Sequence, residues 1–128
     1  KFMKKIEKSV KQFLRERGWD KLRPGDLAKS ICIEAAELLE LFQWSNPELT
    51  EVKNDQRKLA RIKEELADVL VYALDLSVTL GLDTEKIIRD KMTLNAKKYP
   101  GALMRRTAGK KEPGTDPTYW KIKRVHRK

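Results

Sequence analysis

One cysteine and one histidine in 128 residues remove several chemistries at the outset. Cys32 has no second thiol to pair with, so no internal disulfide forms, and a reducing cytoplasm is the expected compartment. His126 is the single histidine. Triads built on histidine, histidine general bases and the Glu-x-x-His pairs of di-iron bundles are therefore excluded. No run of 18 apolar residues exists, so neither a membrane span nor a membrane partner is expected. The stretch KFMKKIEKSVKQF is amphipathic and lacks the continuous apolar core of a signal peptide. Neither a P-loop nor a Rossmann glycine pattern occurs, and there is no internal repeat or convincing strand pair.

What is present is a chain 40 % hydrophobic and 38 % charged, the balance of a small helical protein with one core. The formal charge of +10 is unevenly spread. Residues 101–128 hold nine Lys and Arg against Glu112 and Asp116, a balance of +7 that leaves only +3 for residues 1–100. Basicity thus belongs mostly to the tail, and nucleic acid is not the favoured partner of the core. The expected organisation is a helical domain over residues 1–101 followed by a basic, partly ordered or extended tail over 102–128.

Periodicity predicts four helices and an all-α four-helix bundle. The first covers about residues 2–17, with Ile6, Val10, Phe13 and Leu14 at helical spacing and Gly18 as its stop. WDKLRPGD reads as a loop, with Asp26 as N-cap of a second helix reaching about Trp44. Ser45-Asn46-Pro47 then breaks the chain. A third helix is expected over about 50–80, polar in its first half, strongly apolar in its second and ended by Gly81. The fourth, capped by Asp83 or Thr84, ends near Tyr99.

The second helix carries carboxylates through an apolar segment, EAAELLELFQW. At about 100° per residue, Leu27, Ala28, Ile31, Ala35, Leu38, Leu39 and Phe42 define its buried sector. Glu34 and Glu37 fall one turn apart on the margin of that sector, while Glu40 lies further round and is expected to be solvated. The third helix repeats the pattern: Leu59, Ile62, Leu66, Val69, Leu70, Ala73, Leu76 and Leu80 form the buried sector, and Glu65 and Asp68 share its margin. A lone ExxE pair is usually solvated surface. Two matched pairs on adjacent antiparallel helices can converge, where mutual repulsion favours neutralisation by a hard divalent cation. All-oxygen ligation selects Mg²⁺ or Mn²⁺ over Zn²⁺.

On the fourth helix Lys91, Asn95 and Lys98 fall at i, i+4 and i+7 on one polar stripe suited to phosphates. The bland alternative is an ordinary solvated face. Trp19, Trp44 and Tyr72 are each compatible with packing, and together offer rings on which a base can stack.

Glu34-Ala-Ala-Glu37 followed after 27 residues by Glu65-Leu-Ala-Asp68 resembles the ExxE…ExxD signature of the MazG-like all-α nucleoside triphosphate pyrophosphohydrolases. RGW, EAAELLELFQW, EELADVLVY and KMTLNAKKYP agree with it, and ELFQW is most similar to the short dCTP pyrophosphatase-like branch. The resemblance covers roughly residues 2–101. It implies that Glu34, Glu37, Glu65 and Asp68 bind Mg²⁺, with Mn²⁺ able to substitute. Water would attack a nucleotide phosphate, leaving a nucleoside monophosphate and pyrophosphate. By the same resemblance Trp44 and Tyr72 match nucleotide-pocket positions, Lys91 and Asn95 match phosphate contacts, and Trp19 matches a base-side aromatic. Lys91 and Lys98 are suited to charge on the leaving pyrophosphate. Glu34 is the expected catalytic base. Where dCTP-preferring relatives place a histidine shortly after the tryptophan, this chain has Lys21-Leu22-Arg23-Pro24, which opens the choice of base.

The competing readings are a non-catalytic nucleotide-binding or regulatory bundle, and a nucleic-acid-associated module acting through the basic tail. A homodimer or homotetramer is expected, because Val71 and Val78 on the third helix and Cys32 and Ala36 on the second extend the apolar surface beyond one stripe.

Overall fold

The computed structural model describes residues 2–108 and 117–127. Among these no strand occurs, and the all-α expectation holds. The helices are α1 (Phe2–Glu16), α2 (Pro24–Glu40), α3 (Leu49–Asn54), α4 (Gln56–Thr79), α5 (Thr84–Lys98), α6 (Gly101–Ala108) and α7 (Pro117–His126). The chain divides into two compact units, one up to Thr84 and one from Glu85.

In the first unit α4 is the central element, packed against α2, α1 and α3. The helices α2 and α4 run antiparallel: Lys58 near the start of α4 lies 5.0 Å from the ring of Phe42 just beyond α2, while mid-helix Glu34 and Glu37 meet Glu65. Two glycines in the left-handed region close α1 and α4 in the same way. Gly18 (φ 69°) donates to Arg15 O and Trp19 N donates to Leu14 O at 2.9 Å; Gly81 (φ 66°) donates to Val78 O and Leu82 N to Ser77 O at 2.9 Å. Both are Schellman closures, which need a residue free of the Cβ penalty at positive φ.

Several boundaries differ from expectation. The second helix begins at Pro24 rather than after an Asp26 cap: Arg23 is extended (φ −72°, ψ 150°) and Asp26 sits within the first turn. Proline suits that first position because its missing N–H would have no helical partner there. The same helix ends at Glu40, not Trp44, since Phe42 N and Gln43 N turn back to Leu39 O and Glu40 O. The expected long third helix breaks at Asp55 (φ −93°, ψ 92°), which ends α3 and caps α4 by accepting from Lys58 N at 2.9 Å. A single Asx cap overrides the helical propensity on either side. The basic tail, expected to be extended or partly ordered, is helical over Pro117–His126.

The inner seam is also narrower than the helical wheel suggested. On α2 the less exposed row is Leu27, Ile31, Glu34 and Leu38; on α4 it includes Leu59, Ile62, Glu65, Val69 and Leu76. Glu34 and Glu65 are therefore members of the seam rather than its margin. Ala28, Ala35 and Leu39, expected to be buried, are exposed, as are Leu66, Leu70, Ala73 and Leu80. Val71 and Val78, expected to point away from the core, are half-buried instead, and Val71 shares a cavity with α1 residues. A pair of packed helices covers one a/d-type row each, so the adjoining apolar row of α4 stays open in one chain.

The second unit holds α5 from Glu85 onward, α6 and α7. On α5, Arg89 donates to Glu85 and Lys86 to Asp90, an i, i+4 lattice on one face. The α7 helix packs against α6, and Tyr119 stacks on Tyr99 with centroids 5.2 Å apart. Among the described residues no helix is long and apolar enough to cross a membrane.

Candidate functional site

Antiparallel packing of α2 on α4 brings acids from both helices together. Glu34, Glu37 and Glu65 each present a carboxylate oxygen, all within 4.8 Å of one another. Glu34 and Glu65 are half-buried and Glu37 is exposed. An octahedral Mg²⁺ shell with bonds of about 2.1 Å spans oxygens about 3 to 4 Å apart, so slight contraction of this trio would fit one. Oε2 of Glu34 is buried among the protein atoms without a hydrogen-bond partner, an unfilled acceptor at the centre of the cluster.

Electrostatics express the same crowding. Burial first, then a side-chain hydrogen bond with Glu37, then the charges of Glu37, Asp68 and Glu65 push the Glu34 carboxyl above its ordinary value. Glu65 is raised by burial, by its hydrogen bond with Glu37 and by the Glu37 and Asp68 charges, with Arg61 acting in the opposite sense. Carboxyls that hydrogen-bond to each other share a proton, and a divalent cation relieves the same repulsion without one. The donor set is all oxygen and suits a hard cation, with Glu34, Glu37 and Glu65 as the residues that would hold it.

Asp68 is not part of that close trio, although its charge is felt by Glu34 and Glu65. It lies one turn beyond Glu65 and lines a cavity of about 390 Å³ with Phe13, Leu14, Trp19, Leu22, Val71 and Tyr72. The walls are predominantly apolar and aromatic, and Asp68 sits where this cavity adjoins the acids. The Schellman closure of α1 delivers Trp19 here, with Phe13 and Trp19 in an edge-to-face contact at 6.3 Å. Trp19 and Tyr72 are thus brought together. The sequence does not mark Phe13, Leu14, Leu22 and Val71 as pocket residues: the helical spacing or loop position of the first three reads equally well as ordinary packing, and the helical angle of Val71 turns it away from the core.

Trp44 does not line this cavity; it lies beyond the end of α2 and is 90 % exposed. Glu40 is exposed and outside the acid trio, on a different cavity with Arg57, Lys58 and Arg61. Lys91, Asn95 and Lys98 all belong to α5 in the second unit, Lys91 exposed and the other two half-buried.

The two acid pairs, all of the α2–α4 seam beyond Leu27 and the whole of α5 fall inside a segment, residues 29–107, that matches the pattern of the MazG-like family. The chain belongs to the MazG-like family. Over 101 residues it is 34 % identical to dCTP pyrophosphatase 1 of Homo sapiens and 35 % identical to the protein of that name from Rattus norvegicus, with 77 % of this chain aligned. It spans 59 % of the length of those relatives. A pyrophosphatase from Archaeoglobus fulgidus shares the fold at a TM-score of 0.69 and 38 % identity, covering 78 % of this chain and 94 % of that one. The MazG-like match begins after Trp19, so the α1 and loop walls of the cavity lie outside the segment that defines the family here.

Proposed function

We propose that this chain is a Mg²⁺-dependent nucleoside triphosphate pyrophosphohydrolase, releasing a nucleoside monophosphate and pyrophosphate, with Mn²⁺ able to replace Mg²⁺. One observation carries the reading: a three-carboxylate cluster drawn from two helices abuts, through Asp68, an aromatic-lined cavity of about 390 Å³. Acids alone would repel a triphosphate, and an apolar cavity alone would hold a base without acting on it. Their adjacency supports a substrate that carries both a ring and an anionic chain. The bound cation would polarise phosphoryl oxygens and lower the pKa of water.

The residues then divide the work. Glu34, Glu37 and Glu65, with Asp68 one turn on, hold charge of the sign the cation needs. Glu34, whose raised carboxyl keeps an unpartnered buried Oε2, orients the attacking water and takes its proton at that atom. Trp19 and Tyr72 offer ring faces to the base. The i, i+4, i+7 spacing of Lys91, Asn95 and Lys98 supports their proposed role with the phosphates. With Leu22 in the wall, base choice rests on stacking and shape more than on a charged reader. The relatives make dCTP the first deoxynucleotide to assay.

A homodimer or homotetramer is part of the proposal. Exposed Leu66 and Leu70 (44 % and 54 %), Ala73 and Leu80 leave an apolar row on α4 beside the seam, and a second copy is the simplest cover. Trp44 contributes to a base pocket only if another copy closes over it. Light scattering would return a multiple of 14.9 kDa, and a monomer mass would defeat the assembly.

The deciding assay profiles common and modified nucleoside triphosphates with Mg²⁺, with Mn²⁺ and with chelator, reading pyrophosphate and inorganic phosphate separately. Pyrophosphate with monophosphate in equal amounts is expected. Inorganic phosphate with diphosphate would overturn the cleavage site, and nucleotide binding without any turnover would return the chain to a regulatory role.

A further inference from the structure

The C-terminal helix α7 begins beyond the family-matched segment and has no part in the proposed hydrolysis. Its own geometry assigns it separate work. One face is anchored within the second unit: Tyr119 stacks on Tyr99 at 5.2 Å and 23°, Ile122 is half-buried, and Lys123 Nζ donates to the Tyr119 hydroxyl at 3.4 Å. With that face fixed, Trp120, Arg124 and Arg127 fall at i, i+4 and i+7 on the adjoining, exposed side, and Lys121 flanks them. Arg127 continues the turn through its N–H to Arg124 O at 3.3 Å.

Two features separate this stripe from an ordinary solvated face. First, α6 and α7 contain no carboxylate: Arg105, Arg106, Lys121, Lys123 and Arg124 have no acidic neighbour on either helix, unlike the paired charges of α5. Second, an indole stands among the cations. Trp120 is 40 % exposed, held edge-on to Tyr119 at 5.2 Å, with Lys123 Nζ 5.1 Å from its ring centre. Cations that track a phosphate backbone beside a rigid aromatic face are the elements of a single-strand binding surface.

We propose that the exposed face of α7 binds single-stranded nucleic acid, with Lys121, Arg124 and Arg127 on phosphates and Trp120 stacked on one base. An anionic membrane is the less fitting occupant. A basic helix enters a bilayer surface by burying a continuous apolar face, and here Tyr119 and Ile122 already use that face in packing. Exposed Val125 and Trp120 do not replace it. The proposal is independent of the hydrolytic reading, since none of these residues belongs to the acid cluster or its cavity.

The test uses the full chain and fluorescein-labelled 12-mers of oligo-dT and oligo-U, followed by anisotropy over a salt series. Heparin, the corresponding duplex and phosphatidylserine vesicles serve as further probes. Binding of either single strand is expected, its logarithm falling with log salt at a slope of about −2 for three phosphates contacted. Arg124→Ala with Arg127→Ala should flatten that slope by about 1.4. Trp120→Ala should weaken oligonucleotide binding about tenfold without changing the slope, Trp120→Phe should recover most of it, and neither should alter heparin binding or nucleotide hydrolysis. Wild-type affinity in Trp120→Ala, equal affinity for duplex and single strand, or vesicle binding without oligonucleotide binding would each overturn the assignment.

Discussion

The helix α4 keeps carboxylates in two surroundings. Near its middle, Glu65 meets Glu34 and Glu37 across the seam, with oxygens within 4.8 Å and Asp68 one turn on. Near its end, Asp75 is alone and 3 % exposed, with Thr79 donating to Oδ1 at 3.1 Å and Oδ2 unpartnered. Glu65 is half-buried and Asp75 almost wholly buried, and both have carboxyls raised above their ordinary values, by burial first in each case. The remedy differs. A crowd of acids with unfilled acceptors is quieted by a divalent cation, whereas a solitary carboxyl is quieted by keeping its proton. Buried negative charge therefore points to a metal only where several donors converge.

The largest expected effect cuts into the crowd. Glu37→Gln or Glu65→Gln should lower turnover at least about a hundredfold, because a ligand is lost from the proposed metal site. The same variants should melt no lower than the parent without metal, since repulsion is relieved. Mg²⁺ should raise the melting temperature of the parent and fail to raise theirs. Steady-state kinetics and melts with and without chelator measure both. A metal-free variant that unfolds would show that these glutamates serve the core.

Next in size comes the cavity beside the acids. Trp19→Ala should raise KM about tenfold, the scale of one lost base stack, with a smaller change in kcat. Unchanged KM would separate the cavity from the acids and confine Trp19 to closing α1.

A moderate effect is expected at the solitary acid. With its folded pKa above the ordinary 3.8, Asp75 keeps its proton where the unfolded chain has released it. The stability it contributes is full at low pH and is lost as pH rises through the raised value. Asp75→Asn should cancel that loss and stabilise the chain by about 1 kcal/mol near neutral pH, a gain of a few degrees. Its response to Mg²⁺ should match the parent. Melts across pH check this, and a Mg²⁺ response lost in Asp75→Asn would erase the distinction between the two regions.

The smallest effect should be at Glu40, exposed and outside the trio. Glu40→Gln should change kcat/KM by less than about twofold. A loss equal to that of Glu37→Gln would move the site toward the start of α4.

Local chemistry decided what the chain could announce by itself. The helical character, the stops at Gly18 and Gly81 and the repeated carboxylate pairs all follow from backbone φ or from side-chain period, which neighbours along the chain set. So do the pairings of Glu34 with Glu37 and of Glu65 with Asp68. Helical angle alone could not say which apolar row meets which neighbour. It set Glu34 and Glu65 at a margin when packing puts them in the seam, and it turned Val71 outward when the half-buried side chain lines a cavity with Phe13 and Leu14 of α1. It left Asp68 equal to the other acids, although only Glu34, Glu37 and Glu65 close to within 4.8 Å. The end of α2 short of Trp44 and the break at Asp55 are local turn and cap effects, whereas the cavity joining Phe13 and Leu22 to Asp68 belongs to the tertiary level. There a partner helix 30 or more residues away in the chain outweighs propensities that differ by less than about 1 kcal/mol per residue.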